Sequence, residues 1–173
     1  GHPAIFIRFA GCSVGCYFCD TKQAQKCEPE WQLQTASLKE YSEQAKAESP
    51  YWRQCTIQEV YEYVGDLIEQ SSNDKAKRIQ MVVITGGEPF MSNINIDRFA
   101  LNLKKQFPNV ENVYVYTSGS AFVFNINNFG YNFLDGINFA PKTKGDWEQL
   151  KYASAHLRED IRESIRTRKS NRL

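Results

Sequence analysis

Four short apolar runs divide a chain that is otherwise polar or helically patterned. Ala4 to Phe9 is rich in Ile and Phe without clean alternation. Met81 to Thr85 is apolar up to its last residue, Val113 to Tyr116 follows as a third run, and Gly136 to Ala140 is shorter and stopped by Pro141. Runs of this length predict strands, and the absence of alternation in the first predicts cover on both faces. A helix is predicted from Thr56, where Thr56 and Glu59 form a capping box ahead of Ile57, Val60, Tyr61, Val64, Leu67 and Ile68 at helical spacing; Ser71 to Asp74 ends it. A second is predicted with Asp97 as its cap and Phe99, Ala100, Leu103 and Phe107 on one stripe before Pro108. From Asp146 onward Trp147, Leu150, Ala153, Leu157 and Ile161 recur at three- and four-residue steps, so residues 146–173 read as a helical, increasingly basic segment. Residues 22–55 are polar with scattered apolar positions and read as an insertion, in which Ser37 to Lys46 is a candidate helix.

Strands alternating with helices imply a mostly parallel α/β sheet. Function in such sheets gathers at the carboxyl ends of the strands. Those ends lead here into a cysteine loop, Gly86-Gly87-Glu88-Pro89, Thr117-Ser118-Gly119 and Ala140-Pro141-Lys142. The residues with chemical potential are thus expected on one edge.

A length of 173 residues fits a single domain spanning the chain. Lys and Arg number 21 against 20 for Asp and Glu, which gives no electrostatic footprint for nucleic acid or a membrane surface. A small or anionic substrate fits better. No apolar stretch approaches the ~18 residues that span a bilayer, and there is no leader-like start; the expectation is a cytoplasmic protein. Both ends look cut, since the chain starts Gly1-His2-Pro3 directly before the first strand.

Cys12, Cys16, Cys19, Cys27 and Cys55 make an odd count in a chain that is not cysteine-dense, which favours metal or redox use over a disulfide framework. Cys12, Cys16 and Cys19 stand at Cys-x3-Cys-x2-Cys spacing immediately after the first strand. Thiolates are soft ligands that select iron-sulfur clusters, zinc or copper(I). Structural zinc is closed by four ligands, usually two separated pairs, and this loop has no second pair. A 4Fe-4S cluster on three cysteines keeps one iron open. Zinc and inert or redox thiols stay as alternatives at this point. The second signal is Gly86-Gly87-Glu88-Pro89 after an apolar strand, where glycines permit close backbone approach and Glu88 can accept hydrogen bonds from an amino group. By itself such a pair is often only a turn.

Taken together, the cysteine spacing with Phe18 and the Gly-Gly-Glu-Pro run resemble the radical S-adenosylmethionine (SAM) superfamily. The surrounding Phe6 to Cys12, Cys19-Asp20-Thr21, Thr85 to Pro89, Thr117 to Gly119 and Ala140 to Lys142 resemble, within it, the 7-carboxy-7-deazaguanine synthase family of queuosine biosynthesis. The resemblance runs from Pro3 to about Lys142. It implies a partial, open (β/α) barrel of the radical SAM type and a carbon-nitrogen lyase. It also implies a 4Fe-4S cluster on Cys12, Cys16 and Cys19, with SAM against Gly86, Gly87, Glu88 and Ser118. Magnesium would lie at Thr21, supported by Asp20, and Arg8 and Lys142 would face the substrate. The implied chemistry is reductive cleavage of SAM to a 5'-deoxyadenosyl radical, which abstracts hydrogen from 6-carboxy-5,6,7,8-tetrahydropterin and starts ring contraction to 7-carboxy-7-deazaguanine. The implied partners are a flavodoxin- or ferredoxin-type reductant and a second copy in a homodimer, with no nucleic acid or membrane.

Two departures stand beside the resemblance. Tyr116 occupies the place of the family's usual Glu before Thr-Asn/Ser-Gly, and a helix follows Lys142 where the family has further strands. Readings kept open are therefore an activating protein of anaerobic ribonucleotide reductase, a radical SAM enzyme with another substrate, and a non-catalytic cysteine-metal module.

Overall fold

The computed structural model describes residues 2–19, 22, 25–45, 50–72, 78–120 and 133–148. Strands β1 (Ala4–Phe9), β2 (Met81–Gly86), β3 (Asn112–Thr117) and β4 (Gly136–Phe139) form one sheet in the order β1-β2-β3-β4. All three pairings are parallel, with Ala4 opposite Met81, Val82 opposite Val113 and Val115 opposite Ile137. Strand order thus follows chain order, as the alternating pattern predicts. Helices α1 (Leu38–Gln44), α2 (Ile57–Ser72) and α3 (Ile96–Gln106) and two short 3-10 turns, Pro29–Trp31 and Pro89–Met91, complete the named elements.

The register sorts the side chains into two faces. Ile5, Val82, Ile84, Val113, Val115 and Ile137 share one face, and they form a single core with Tyr61 and Val64 of α2 and Phe99, Ala100 and Leu103 of α3. The rings of Tyr61 and Phe99 stack with centroids 5.3 Å apart, joining the two helices above the sheet. The opposite face carries Phe6, Arg8, Thr85, Tyr114 and Tyr116. Phe6 is 64% exposed, so the expectation that β1 is covered on both faces is corrected. The apolar stripes of α2 and α3 serve one face of the sheet only. On the open face Gly136 has a specific job: a β-carbon there would stand 2.7 Å from the Tyr114 ring, so glycine lets that ring lie across β4.

Local chemistry sets the helix starts. At α2 the Glu59 amide donates to Thr56 Oγ1 (3.2 Å) and the Thr56 amide donates to Glu59 Oε2 (2.8 Å), the reciprocal box read from the sequence. Ser37 caps α1, which runs Leu38–Gln44, shorter than the Ser37 to Lys46 expectation. The cap of α3 is a correction: Asn95, not Asp97, accepts from the Arg98 amide (3.0 Å). Asp97 lies in the first turn and is buried, where its carboxylate accepts the Phe133 amide (2.9 Å). It still complements the helix dipole, but it serves a long-range tie as well. Helical structure resumes at residues 144–148, while Leu150, Ala153, Leu157 and Ile161 lie outside the described residues.

The insertion closes on itself. Gln32 and Trp52 form a parallel bridge, with the Leu33 amide donating to Trp52 O (2.8 Å) and the Trp52 amide to Trp31 O (3.1 Å). Trp52 Nε1 donates to Glu28 O (2.8 Å), and Tyr41 donates its hydroxyl to Tyr51 O (2.7 Å). Arg53 joins this unit to the main domain by donating to Thr35 O (3.2 Å) and Glu59 Oε1 (2.6 Å). No helix among the described residues is long and apolar enough to cross a membrane.

Glu59 is held below the usual carboxylate range, first by the Thr56 amide and then by Arg53. A depressed folded value contributes stability that is complete above the ordinary value of 4.5 and is lost as pH falls through the folded value. Thermal unfolding of wild type and Glu59→Gln should therefore differ near neutral pH, with wild type the more stable, and the gap should narrow as pH falls below the ordinary value of 4.5. An unchanged gap on acidification would place the effect elsewhere.

Candidate functional site

The carboxyl ends of the four strands open onto a cleft of about 390 Å³. Its walls are Cys12, Cys16, Phe18 and Cys19 from the loop after β1, Arg8 and Thr85 from the strands, and Gly86 and Gly87 after them. Tyr116, Thr117 and Ser118 at the end of β3 and Ala140 and Lys142 after β4 close the other side. Arg8, Cys12, Cys16, Cys19, Gly86, Gly87, Ser118 and Lys142, all expected at the site, line it, and Glu88 does not. Thr21 and its proposed support Asp20 lie outside the described residues.

The cysteine loop is held by its backbone. The Gly87 amide donates to Phe9 O (2.8 Å) and the Glu88 amide to Gly11 O (2.9 Å), so the end of β2 is sewn to the start of the loop. This stitch explains why a glycine stands at position 86. Gly86 has φ +132°, and a β-carbon on it would fall 2.0 Å from Phe9 O and 2.4 Å from Phe9 N. Within the loop the Cys19 amide donates to Cys16 O (3.2 Å), and the Ser13 amide reaches Met91 Sδ at 3.1 Å.

Glu88 is 1% exposed and does not line the cleft. Its Oε1 accepts from Thr117 Oγ1 (2.6 Å) and the Phe90 amide (3.2 Å), while Oε2 accepts from the Ser118 amide (2.9 Å) and hydroxyl (2.6 Å). The carboxylate thus faces β3 and locks the Thr117-Ser118-Gly119 turn to the end of β2. Its four donors all belong to the protein.

Asp146 plays the matching part on the next strand. It is buried, and its Oδ2 accepts the amides of Lys142 (2.8 Å) and Thr143 (2.9 Å), while its own amide donates to Thr143 Oγ1 (3.2 Å). This fixes the backbone from which Lys142 reaches into the cleft, where its Nζ lies 5.8 Å from the centre of the Phe18 ring. The sequence did carry a signal for it, since Thr143 and Asp146 have capping-box spacing. Glu88's partner Thr117 had no comparable signal.

Cys12, Cys16 and Cys19 bring a soft donor set of three thiols to the cleft. Tetrahedral zinc at about 2.3 Å from each sulfur requires ligands within about 4 Å of one another. The described residues gather no three such ligands about one point. Three free thiols lining one cleft are a donor set that could hold an iron-sulfur cluster. Burial pushes the Cys16 thiol up; Lys142 opposes this, and Cys12 and Cys19 add to it. Cys27 is exposed beside Gly11, and Cys55 lies against Glu59 and Arg53; neither lines the cleft.

No family model matches the chain. Curated proteins do: "7-carboxy-7-deazaguanine synthase" of Buchnera aphidicola is 36% identical over 94 residues, 54% of this chain and 37% of the relative. The enzyme of that name from Escherichia coli is 34% identical over 96 residues, with the same shares, and that from Clostridium acetobutylicum is 27% identical over 129 residues, 75% of this chain and 43% of the relative. The chain is similar to 7-carboxy-7-deazaguanine synthases. The matched part spans little more than a third of the length of the first two relatives. The crystal structure of QueE from Escherichia coli superposes with a TM-score of 0.55 at 24% identity, covering 92% of this chain and 72% of that one. The fold is thereby the expected α/β architecture, a partial, open (β/α) barrel.

Two substitutions test the stitching. Gly86→Ala should destabilise by about 1–3 kcal/mol through its positive φ alone, and by more because of the Phe9 backbone. Glu88→Gln should cost about 1–3 kcal/mol by setting an amide against buried donors. Urea unfolding of the two variants against wild type reads both; a neutral Glu88→Gln would mean the Thr117-Ser118 turn holds without the carboxylate.

Proposed function

We propose that this chain acts as a radical SAM enzyme of the 7-carboxy-7-deazaguanine synthase type, a carbon-nitrogen lyase. The observation that carries the reading is the meeting of Cys12, Cys16 and Cys19 with Gly86-Gly87 and two cations in one cleft at the carboxyl edge of a parallel sheet. The three thiolates would hold a 4Fe-4S cluster with one open iron. When bound, that cluster supplies the electron that cleaves SAM and so begins hydrogen abstraction from the substrate.

The protein's own residues position and shield. Gly86 and Gly87 offer a wall without side chains against which the methionine part of SAM fits. Ser118, fixed by Glu88, stands beside it. Arg8, projecting from β1 on the open face, presents a planar fork for a substrate carboxylate, and Lys142 adds a second positive charge across the cleft. Magnesium at Thr21, a flavodoxin- or ferredoxin-type reductant, a cytoplasmic setting and a homodimer belong to the same reading.

One observation favours a second reading, a radical SAM enzyme acting on a different substrate. Tyr116 is 42% exposed at the mouth of the cleft, and among the described residues no carboxylate lines it. A phenol hydrogen-bonds a heterocycle edge without supplying negative charge near neutral pH.

Anaerobic reconstitution with iron and sulfide should give about four irons per chain and a reducible EPR signal. Cys16→Ala should abolish both, while Cys27→Ala and Cys55→Ala should leave both intact. The reduced protein should cleave SAM to 5'-deoxyadenosine, and with magnesium and the carboxylated tetrahydropterin it should yield the deazaguanine by mass spectrometry. One zinc per chain without SAM cleavage would overturn the enzyme reading; SAM cleavage indifferent to the pterin would select the second.

A further inference from the structure

The 22–55 insertion has no part in the radical SAM reading, yet its first described residues after the cysteine loop return to that loop. Gln25 lines the cleft beside the thiols. Its carbonyl accepts the Cys12 amide (2.9 Å), and its side-chain Nε2 donates to Cys16 O (3.2 Å). One residue therefore grips the backbone of two of the three presumed ligands, at positions four residues apart. The turn is anchored in its own right by the Gln25 amide donating to Lys22 O (3.1 Å).

Behind Gln25 the chain is held firmly. Glu28 accepts from the Trp52 indole, Trp52 pairs with Trp31 and Leu33, and Arg53 ties the same unit to Glu59 on α2. The path from the core helix α2 to Gln25 runs through the Arg53–Glu59 bond, the chain step from Arg53 to Trp52, the Trp52–Glu28 bond and the short backbone stretch from Glu28 back to Gln25. We infer that the insertion is a clamp for the cluster loop, and that Gln25 is its positioning residue: it holds the Cys16 carbonyl so that the three thiols keep the spacing a cluster needs.

The physical reason follows from the loop's composition. Gly11 (φ +98°) and Gly15 (φ +60°) give the segment backbone freedom on both sides of Cys12. Nothing lies within 4 Å of a β-carbon at Gly15, so packing does not hold the backbone at that position. Hydrogen bonds from outside must supply the order that packing does not. Four do so at the amino end, from Gly87, Glu88, Met91 and the Gln25 carbonyl, whereas at Cys16 the bond from outside the loop is that of the Gln25 side chain.

This inference rests on the cluster reading, and its test separates the two. Gln25→Glu keeps the size of the side chain and removes the donor, and Gln25→Ala removes the side chain altogether; neither touches the backbone bond to Cys12. In the protein without metal, the rate of alkylation of Cys16 should rise in both variants, with Cys27 and Cys55 as unchanged internal references. After anaerobic reconstitution, iron should be lost to a chelator about tenfold faster or more in both variants than in wild type, and the EPR g-values of the reduced cluster should shift. Melting temperatures close to wild type would show that the fold is intact. Wild-type protein that takes up no cluster would sink the cluster reading. Wild-type uptake together with unaltered Cys16 alkylation, iron loss and g-values in both variants would overturn the clamp alone.

Discussion

Everything at the working edge depends on the crossing of two backbones at Gly86. There the chain leaving β2 passes so close to Phe9 that no β-carbon fits between them, and the next two amides bond to Phe9 and Gly11. A parallel pairing needs no such contact beyond its last ladder bond. This one extends the pairing into the loops, so the cysteine segment leaves β1 at a fixed angle set by β2. The glycine pair is first a structural device, and the wall it leaves in the cleft is a consequence of having no side chain there.

The same economy recurs across the sheet. Two buried carboxylates fix strand ends, Glu88 by joining the end of β2 to the end of β3 and Asp146 by holding the turn after β4. These groups are satisfied by protein donors, which is what permits their burial. They fix backbone, and the polar residues left lining the cleft carry thiols, a guanidinium, an ammonium, a phenol, an amide and hydroxyls. Fixing the strand ends with buried acids leaves a cleft whose described lining holds Arg8 and Lys142 and no carboxylate, an environment suited to an anionic guest.

The insertion changes character when its bonds are followed. A stretch that looks like polar filler is a small closed unit around Trp52, joined to α2 by Arg53 and to the cysteine loop by Gln25. Its order comes from side chain to backbone hydrogen bonds between residues ten or more apart, such as Tyr41 to Tyr51 and Glu28 to Trp52. Such bonds leave no periodic trace in a sequence. A hydrophobic stripe does, because it repeats every turn, which is why α2 and α3 were legible and this unit was not.

The sequence by itself determined the four strands, their alternation with helices, the capping box at Thr56 and Glu59, and the placing of the cysteines, Gly86-Gly87, Ser118 and Lys142 at strand ends. These are local or periodic properties, and a parallel order converts them into a common edge without further information. Only the tertiary structure decided that Asn95 rather than Asp97 caps α3, that Phe6 faces outward, that Glu88 turns into the protein toward Thr117 and Ser118, and that Gln25 grips Cys12 and Cys16. Each of these depends on which partner lies within about 3 Å across the fold. A chain read residue by residue carries the donors and acceptors, but the pairing between them exists only once the strands are in register.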